Sequence, residues 1–399
     1  MSQKSVVERL MELNPETEIW WDSSPIVYGN WKRKMLDEAA PEEHAELEEQ
    51  LTRLFNEGNA AKSLIRGVTT NPSLSLQAIE GRPDIWIPWV DELIRANPYA
   101  GEEVLFWKTY LEVVRRGSEM VKPIWEASNH KYGYLSGQVD PRYTSNEELM
   151  FKQAFELAAQ NPNVMIKCPG TAEGIRVLRR LTAMGIATNC TLAFTLPQFV
   201  SVMDAVHSGL AEAKANNVNL YRWRSVITHM SARYEERAAF DESASKVGAS
   251  LTLEEKRWAS IAIFRKAYKV AKRRGYPGKM LFCSIRRGPM VNGVEHIWHI
   301  EKVAGGNMVY TCPPECLSFM WELDANLEFK PAIEEEPPPK VLEKLLRVPY
   351  FAEAYEEEMD PARYATLAPT AFTIQQFSQA TEKMVEFVRK RIAVVRGKQ

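Results

Sequence analysis

Eight short apolar runs recur along the chain, and longer stretches with helical spacing separate most of them. Each run has the length of a buried strand, and no segment repeats at a fixed length. Strands that alternate with helices form a parallel sheet, and eight such units close on themselves. The pattern therefore predicts a single (β/α)8 TIM barrel. The predicted strands are Glu18–Asp22, Gly67–Asn71, Gly133–Val139, Val164–Cys168, Ile186–Phe194, Ser225–Met230, Met280–Ile285 and Asn307–Cys312.

Start and stop signals delimit the clearest helices. Thr252 with Glu255 three residues later is typical of a capping box, and Gly275 is typical of a helix exit. Apolar spacing from Thr373 to Ile392 predicts an amphipathic helix that closes the chain. Because one barrel with extra helices uses most of the 399 residues, we expect a single domain over residues 1–399.

One segment departs from the alternation of strands and helices. Residues 325–364 are rich in Glu and Pro and include three consecutive glutamates followed by three prolines. This composition predicts a surface insertion before the C-terminal helix. A solvated linker is the favoured interpretation, and a lid or a partner-binding segment is the alternative.

The composition is typical of a soluble globular protein. With 50 Lys+Arg against 52 Asp+Glu and no dense basic block, nothing favours a nucleic-acid partner. The polar N-terminus and the lack of an apolar run of about 20 residues argue against secretion and membrane spanning. Five cysteines, an odd number found mainly in apolar runs, favour reduced thiols. We expect a cytoplasmic protein, for which a homodimer is left open.

Lys167 is the single charged residue in the apolar run Val164–Gly170. Burying an ammonium group is costly, and a desolvated lysine has a lowered pKa. The resulting neutral amine can attack a carbonyl group and form a Schiff base. The alternative, from this run alone, is a lysine at a strand end whose amine reaches solvent or pairs with a carboxylate.

Further polar side chains occur at or just after the ends of the predicted strands, where active sites of barrel enzymes collect. Seven of the eight strands carry such a group, which is more than scattered polar core residues would explain. These residues, in chain order, are Asp22, Asn71, Gln138, Lys167, Asn189, Thr191, Thr228, Arg233 and Arg286.

Several segments resemble transaldolase motifs in both order and spacing. The most specific are Thr69-Thr-Asn-Pro-Ser73 and Ile166-Lys-Cys-Pro-Gly-Thr-Ala-Glu-Gly174, and the resemblance covers about residues 18 to 395. It implies a Schiff-base barrel enzyme that transfers a dihydroxyacetone unit from a ketose phosphate to an aldose phosphate. It also implies phosphorylated sugars as partners and no metal or organic cofactor. The weaker matches are Gly137–Arg142, Asn189–Phe194, Ile227–Tyr234 and Cys283–Arg286.

The resemblance implies catalytic roles for three residues. Lys167 would attack the ketone and form the iminium. Asp22 would take the proton from the hydroxyl group whose carbon becomes the departing aldehyde. Thr191 matches the threonine that orders the water released during dehydration.

The resemblance also implies a set of binding residues. Asn71 and Asn189 match the amides that hold the hydroxyl groups of the bound three-carbon unit. Arg233 and Arg286 match phosphate-binding arginines, whose planar guanidinium suits phosphate oxygens. Thr228 lies in the donor pocket in place of the usual serine.

Gln138 is the main departure from the transaldolase pattern. The usual transaldolase has a glutamate there that acts on the catalytic water with the threonine, and a glutamine cannot exchange a proton in that role. The related fructose 6-phosphate aldolases do have a glutamine, but they also use a tyrosine where this chain has Met230. A lyase, or a specialised transaldolase with an atypical substrate, is therefore the alternative. A sugar-phosphate-binding barrel without turnover is less favoured.

No metal site is predicted. His296 and His299 are three residues apart, but the spacing places no third ligand, and a packing pair is favoured.

Overall fold

A computed structural model describes residues 3–397 and contains a closed barrel of eight parallel strands. Each strand pairs with its chain neighbours, and the last strand closes the barrel against the first. The predicted (β/α)8 TIM barrel is thus confirmed. The barrel strands are β1 (Glu18–Trp21), β2 (Ile65–Thr69), β3 (Tyr134–Gln138), β4 (Val164–Pro169), β5 (Thr188–Ala193), β6 (Ser225–Met230), β7 (Lys279–Cys283) and β10 (Met308–Cys312), and the short hairpin strands are β8 (Met290–Val291) and β9 (Val294–Glu295).

The helices surround the barrel and also extend across its neighbouring loops. They are α1 (Val6–Glu12), α2 (Tyr28–Glu38), α3 (His44–Leu54), α4 (Pro72–Glu80), α5 (Pro83–Ala96), α6 (Glu102–Ala127), α7 (Glu147–Ala158), α8 (Ala172–Ala183), α9 (Leu196–Ala215), α10 (Ser231–Glu235), α11 (Ala238–Lys246), α12 (Leu253–Arg273), α13 (Trp298–Glu301), α14 (Pro314–Glu322), α15 (Pro339–Leu346), α16 (Pro349–Tyr355) and α17 (Ala368–Arg396). Short 3-10 turns occupy Pro25–Val27, Ala60–Lys62, Pro141–Tyr143, Asp324–Asn326 and Pro361–Thr366.

Two predicted helix starts can be compared with the structure. The capping box of Thr252 and Glu255 is present at the start of α12, because each side chain bonds to the backbone N–H of the other residue. The predicted start of the closing helix at Thr373 is wrong, since α17 begins five residues earlier at Ala368. Pro369 lies in the first turn, where the missing N–H of a proline costs nothing.

Glu18, Trp20 and Asp22 follow one another at intervals of two residues along and just after β1. Alternate residues of a strand share one face, so these three side chains point into the barrel. At the amino-terminal end, Glu18 forms ion pairs with Arg224 at 2.6 Å and with Lys279 at 2.7 Å. Trp20 fills the middle and donates its Nε1–H to Glu18 at 2.9 Å. Asp22 is thereby placed at the carboxyl end, where barrel active sites lie.

The segment 325–364 is not a solvated linker, so that interpretation is wrong. It contains α15 and α16, and Leu345, Val348 and Phe351 from this region are fully buried. Both helices pack against α12, and α16 also contacts α11. Apolar residues at helical spacing outweigh the Glu and Pro content here, and Pro339 starts α15 rather than disrupting it.

Candidate active site

Lys167 lies on β4 and its side chain is enclosed by the barrel. The residue is 3% exposed, and Nζ donates a hydrogen bond to the backbone oxygen of Thr70 at 3.1 Å. Because the residue is buried, its amine does not reach solvent. Within residues 3–397 no carboxylate oxygen lies within 4 Å of Nζ, so Lys167 forms no direct ion pair either. Desolvation lowers the pKa of Lys167 below its ordinary value, although the nearby Asp22 carboxylate opposes that shift.

Asp22 directly follows β1, and Thr69 on β2 holds its carboxylate. The Thr69 hydroxyl donates to Oδ1 of Asp22 at 2.5 Å and lies 2.5 Å from the Thr311 hydroxyl on β10. Because Thr69 gives its own proton to Asp22, Thr311 must be the donor in the second bond. Burial raises the pKa of Asp22, whereas Lys167 and the Thr69 hydrogen bond oppose that rise. The shifts of Asp22 and Lys167 therefore run toward each other, as is typical of an acid–base site.

Gln138, Lys167 and Asn189 are partners in register on the neighbouring strands β3, β4 and β5. Side chains at the same level of adjacent parallel strands face the same side, so all three point into the barrel. Asn189 is held at both ends, because Nδ2 donates to Oγ of Ser136 at 2.9 Å and Oδ1 accepts from the hydroxyl of Thr228 at 2.7 Å. The structure thus brings these predicted residues together.

Gln138 and Thr191 have polar side-chain atoms with weak or no hydrogen-bond partners among the described residues. The side-chain oxygen of Gln138 is buried and has no hydrogen-bond partner within residues 3–397. The Thr191 hydroxyl contacts Sδ of Met230 at 3.7 Å, and a thioether is a weak acceptor. Since an unpaired buried polar group is costly, both side chains are suited to bind a water molecule or a ligand hydroxyl.

Asn71 is the N-cap of α4, in the loop that leaves β2. Its Oδ1 accepts a hydrogen bond from the backbone N–H of Leu74 at 3.0 Å. The cap uses the carbonyl end of the amide and orients Nδ2, which remains a donor for a ligand hydroxyl group.

Arg233 lies on α10, immediately after β6. One Nη1–H of Arg233 donates to Oε1 of Gln376 on α17, and the guanidinium lies 5.1 Å from the ring centre of Phe377. No carboxylate of the described chain lies within 4 Å of this guanidinium. Burial lowers the pKa of Arg233, and the charge of Arg286 adds to that effect. Arg233 is therefore a partly buried cation without an anionic partner.

Arg286 follows β7 and is more exposed than Arg233. Its guanidinium pairs with Glu236, with Nε 3.1 Å from Oε1 and Nη2 3.4 Å from Oε2. Its backbone N–H donates to Nδ1 of His299 at 3.0 Å. This bond leaves the ring hydrogen on Nε2, which lies 3.2 Å from Glu235. His299 thus fixes the loop that presents Arg286.

The histidine pair considered in the sequence is occupied by local contacts. Nδ1 of His296 lies 3.0 Å from Glu301, while His299 bonds as described above. Across residues 3–397, no group of three or more His, Cys, Asp or Glu side chains could hold a metal ion. None of the helices in the same range is both long and apolar enough to cross a membrane.

The chain is similar to known proteins. Residues 49–386 match the family model described as Transaldolase/Fructose-6-phosphate aldolase. The chain belongs to this family. The transaldolase of Saccharopolyspora erythraea is 31% identical over 47% of the chain and 52% of that protein. Transaldolase 1 of Streptomyces avermitilis is 30% identical over 56% of the chain and 59% of that protein. The transaldolase of Thiobacillus denitrificans is 26% identical over 66% of the chain and 77% of that protein.

The family predicted from the motifs is therefore confirmed. The matched part of the chain spans only slightly more than half the length of the Saccharopolyspora and Streptomyces relatives.

Some side chains of this transaldolase/fructose-6-phosphate aldolase family member were not singled out in the sequence. Thr69 stands in a recognised motif, but its bond to Asp22 depends on how β1 and β2 pair. Thr311 is on the one strand for which no polar candidate was proposed. Gln376 and Phe377 are about 140 residues from Arg233 in the chain, and no local pattern indicates their contact with it.

Proposed function

We propose that the protein is a transaldolase-type enzyme that transfers a dihydroxyacetone unit from a ketose phosphate to an aldose phosphate through a Schiff base on Lys167. The observation that carries the proposal is the buried amine of Lys167, whose pKa is lowered, near the half-buried carboxylate of Asp22, whose pKa is raised. Membership of the transaldolase/fructose-6-phosphate aldolase family supports it.

The proposed steps use this pair in sequence. The neutral amine of Lys167 attacks the ketone carbon, and loss of water gives an iminium. Asp22 accepts the proton of the substrate hydroxyl as the neighbouring carbon–carbon bond breaks and the aldehyde leaves. The electron pair of the broken bond passes into the iminium, so an enamine remains on Lys167. An acceptor aldehyde then reacts by the reverse steps.

Other residues would hold the substrate. Asn71 and Asn189 can bond the hydroxyl groups of the three-carbon unit, and Thr191 with Gln138 can hold the released water. Thr228 would act through Asn189, which it orients.

Arg233 and Arg286 would bind the phosphate group of the sugar. Arg233 supports this role because no carboxylate within residues 3–397 lies within 4 Å of its guanidinium. We further propose that the enzyme acts in the cytoplasm, in sugar-phosphate metabolism such as the pentose phosphate pathway. The five cysteines, which are all unpaired and buried, suit that reducing compartment.

Borohydride trapping tests the proposed Schiff base. Incubation with fructose 6-phosphate and borohydride should add a three-carbon unit to the peptide that contains Lys167, and mass spectrometry would detect it. Lys167→Ala should abolish the adduct and reduce kcat by about a thousandfold or more, since the covalent route is lost. Lys302→Ala is the matched control, because Lys302 also has a pKa lowered by burial but lies outside the barrel after α13. An unmodified wild-type protein with every ketose phosphate would favour a binding barrel without turnover.

Gln138 supports a second candidate, a lyase that releases free dihydroxyacetone like a fructose 6-phosphate aldolase. Its buried side-chain oxygen has no hydrogen-bond partner among the described residues and cannot exchange a proton in the way a carboxylate does. We expect Gln138→Glu to increase the rate of transfer by about tenfold relative to lysis, because general acid–base help to the water returns. Measuring transfer to an aldose phosphate against release of dihydroxyacetone would show the ratio. Unchanged kinetics would contradict the assigned role of Gln138.

A further inference from the structure

A third arginine lies near Arg233, one of the two candidate phosphate-binding residues. Arg237 directly precedes α11, four residues after Arg233. Its charge and that of Arg286 both act on Arg233 and add to the lowering of its pKa by burial. Arg233 therefore lies close enough to both Arg237 and Arg286 to be repelled by their charges.

Arg237 is held by an aromatic ring rather than by a carboxylate. Its guanidinium carbon lies 3.6 Å from the ring centre of Phe372 on α17, a distance typical of stacking. Its Nε is buried and has no hydrogen-bond partner within residues 3–397, and no carboxylate in this range lies within 4 Å of the guanidinium. Stacking covers the face of the group and leaves its N–H donors, which lie in the plane, free for an anion.

Arg233 is held in the same way by the same helix. Phe377 covers the guanidinium, and Gln376 accepts one of its hydrogen bonds. Both neighbours are neutral, so α17 fixes the position of Arg233 without cancelling its charge. The helix thus supplies two aromatic supports and one amide to two arginines.

The charges around the three arginines do not balance. Glu236 is the single carboxylate of the described chain that pairs with any of them, through Arg286. Asp22 also acts on Arg233, but its effect is smaller than that of Arg286 or Arg237. Three guanidinium groups and one carboxylate leave about two positive charges, which matches the roughly −1.5 to −2 of a phosphate monoester at neutral pH.

We propose that Arg237 is a third anion-binding residue, which completes with Arg233 and Arg286 a site for the phosphate group of the sugar. Phe372, Gln376 and Phe377 of α17 are the positioning residues of this site. The inference rests on the proposed function and makes it more specific, since it assigns recognition of the phosphate to Arg286 and to the two arginines that α17 supports, Arg233 on α10 and Arg237 just before α11.

Arg237→Ala tests the assignment. The phosphate is remote from the reacting bond, so the KM for fructose 6-phosphate should rise about tenfold while kcat changes much less. Trapping with unphosphorylated dihydroxyacetone should require nearly the same concentration as in the wild type. Phe372→Leu should raise the KM in the same direction by a smaller factor, with the same separation from kcat.

A second measurement uses inorganic phosphate alone. Phosphate should raise the melting temperature of the wild-type protein and inhibit it competitively, and both effects should weaken about tenfold in Arg237→Ala. Arg180→Ala is the matched control, because Arg180 stacks 3.6 Å over Phe151 on the outer surface of the barrel. It should leave the KM and the response to phosphate unchanged. If Arg237→Ala does not fold, Arg237→Lys keeps the charge without the planar fork and should still raise the KM.

The outcomes separate this inference from the proposed function. Unchanged KM and phosphate binding in Arg237→Ala, or equal losses with phosphorylated and unphosphorylated substrates, would overturn the three-arginine site even if Lys167 is trapped. Conversely, a wild type that forms no adduct but is stabilised by phosphate through Arg237 would refute the enzyme and retain the anion site.

Discussion

At the scale of single residues, the proposed chemistry depends on Lys167 and Asp22, whose charged forms are both disfavoured by desolvation. Desolvation lowers the pKa of Lys167 and raises that of Asp22, and each group moderates the shift of the other. The hydroxyl of Thr69 decides how much of the carboxylate form persists, because it donates a hydrogen bond to that form.

Thr69→Val should shift the pH dependence of the reaction. Without the donated hydrogen bond the pKa of Asp22 rises further, so less of the base is ionised at a given acidic pH. The acidic limb of the kcat/KM profile should move to higher pH, with the largest loss of activity at the acidic end. Thr109→Val is the control, since that buried hydroxyl bonds only within α6 to the oxygen of Leu105. An unshifted limb would exclude Thr69 as a partner of the base.

At the scale of elements, the close approach of β1 and β2 carries Asp22 to the site. Gly67 on β2 faces the indole of Trp20, and a Cβ atom at this glycine would lie 2.4 Å from the ring. Only a residue without a side chain allows the two strands to pair at this distance while Trp20 fills the barrel. Gly67, two residues before the Thr69–Ser73 motif, is therefore explained by packing.

Gly67→Ala should destabilise the protein by about 3 kcal/mol, because the ring or the strand must shift to admit the methyl group. Urea denaturation would measure the change in the free energy of unfolding. Activity should fall as well, since β1 positions Asp22. In contrast, Gly29→Ala in α2 should be neutral or slightly stabilising, because its Cβ would meet no atom within 4 Å. Equal stability of the two variants would contradict the packing argument.

At the scale of the whole molecule, the two ends of the barrel have different roles. Ion pairs connect distant strands at the amino-terminal end, and the candidate site lies at the carboxyl end. Burial alone would raise the pKa of Glu18, but Arg224 and Lys279 hold it below its ordinary value. The two cations lie at the beginnings of β6 and β7, more than 200 residues after β1 in the sequence. The cluster connects distant segments under Trp20, well away from the chemistry.

Glu18→Gln should cost about 3 kcal/mol of stability at neutral pH, because Arg224 and Lys279 lose their shared buried carboxylate. The folded pKa of Glu18 is depressed, so its contribution is present above the unfolded pKa and is lost as the pH falls through the folded value. The gap between wild type and variant should therefore narrow in acid. Glu38→Gln, which breaks an exposed pair with Lys34, should change stability by less than about 0.5 kcal/mol. If the difference in unfolding free energy between wild type and Glu18→Gln did not change with pH, the depressed pKa of Glu18 would not be the cause of its contribution to stability.

The sequence alone determined the architecture, and it also supplied most of the candidate site residues. Apolar runs of strand length located all eight barrel strands, because burial on both faces leaves a strong local signal. The unusual lysine at position 167 and the motif residues of β2 to β6 also carried their chemistry in local patterns. The start of α17 and the folded state of residues 325–364 were mispredicted, because composition there points to turns while tertiary packing favours helix.

Only the tertiary structure decided how distant segments complete the site. The bond of Thr69 to Asp22, its link to Thr311, and the support of Arg233 and Arg237 by α17 each join residues from different parts of the chain. A sequence shows which side chains are present and how apolar and polar residues are spaced along a segment. Contacts between segments tens to hundreds of residues apart arise from barrel closure and from the packing of the last helix, which have no local signature.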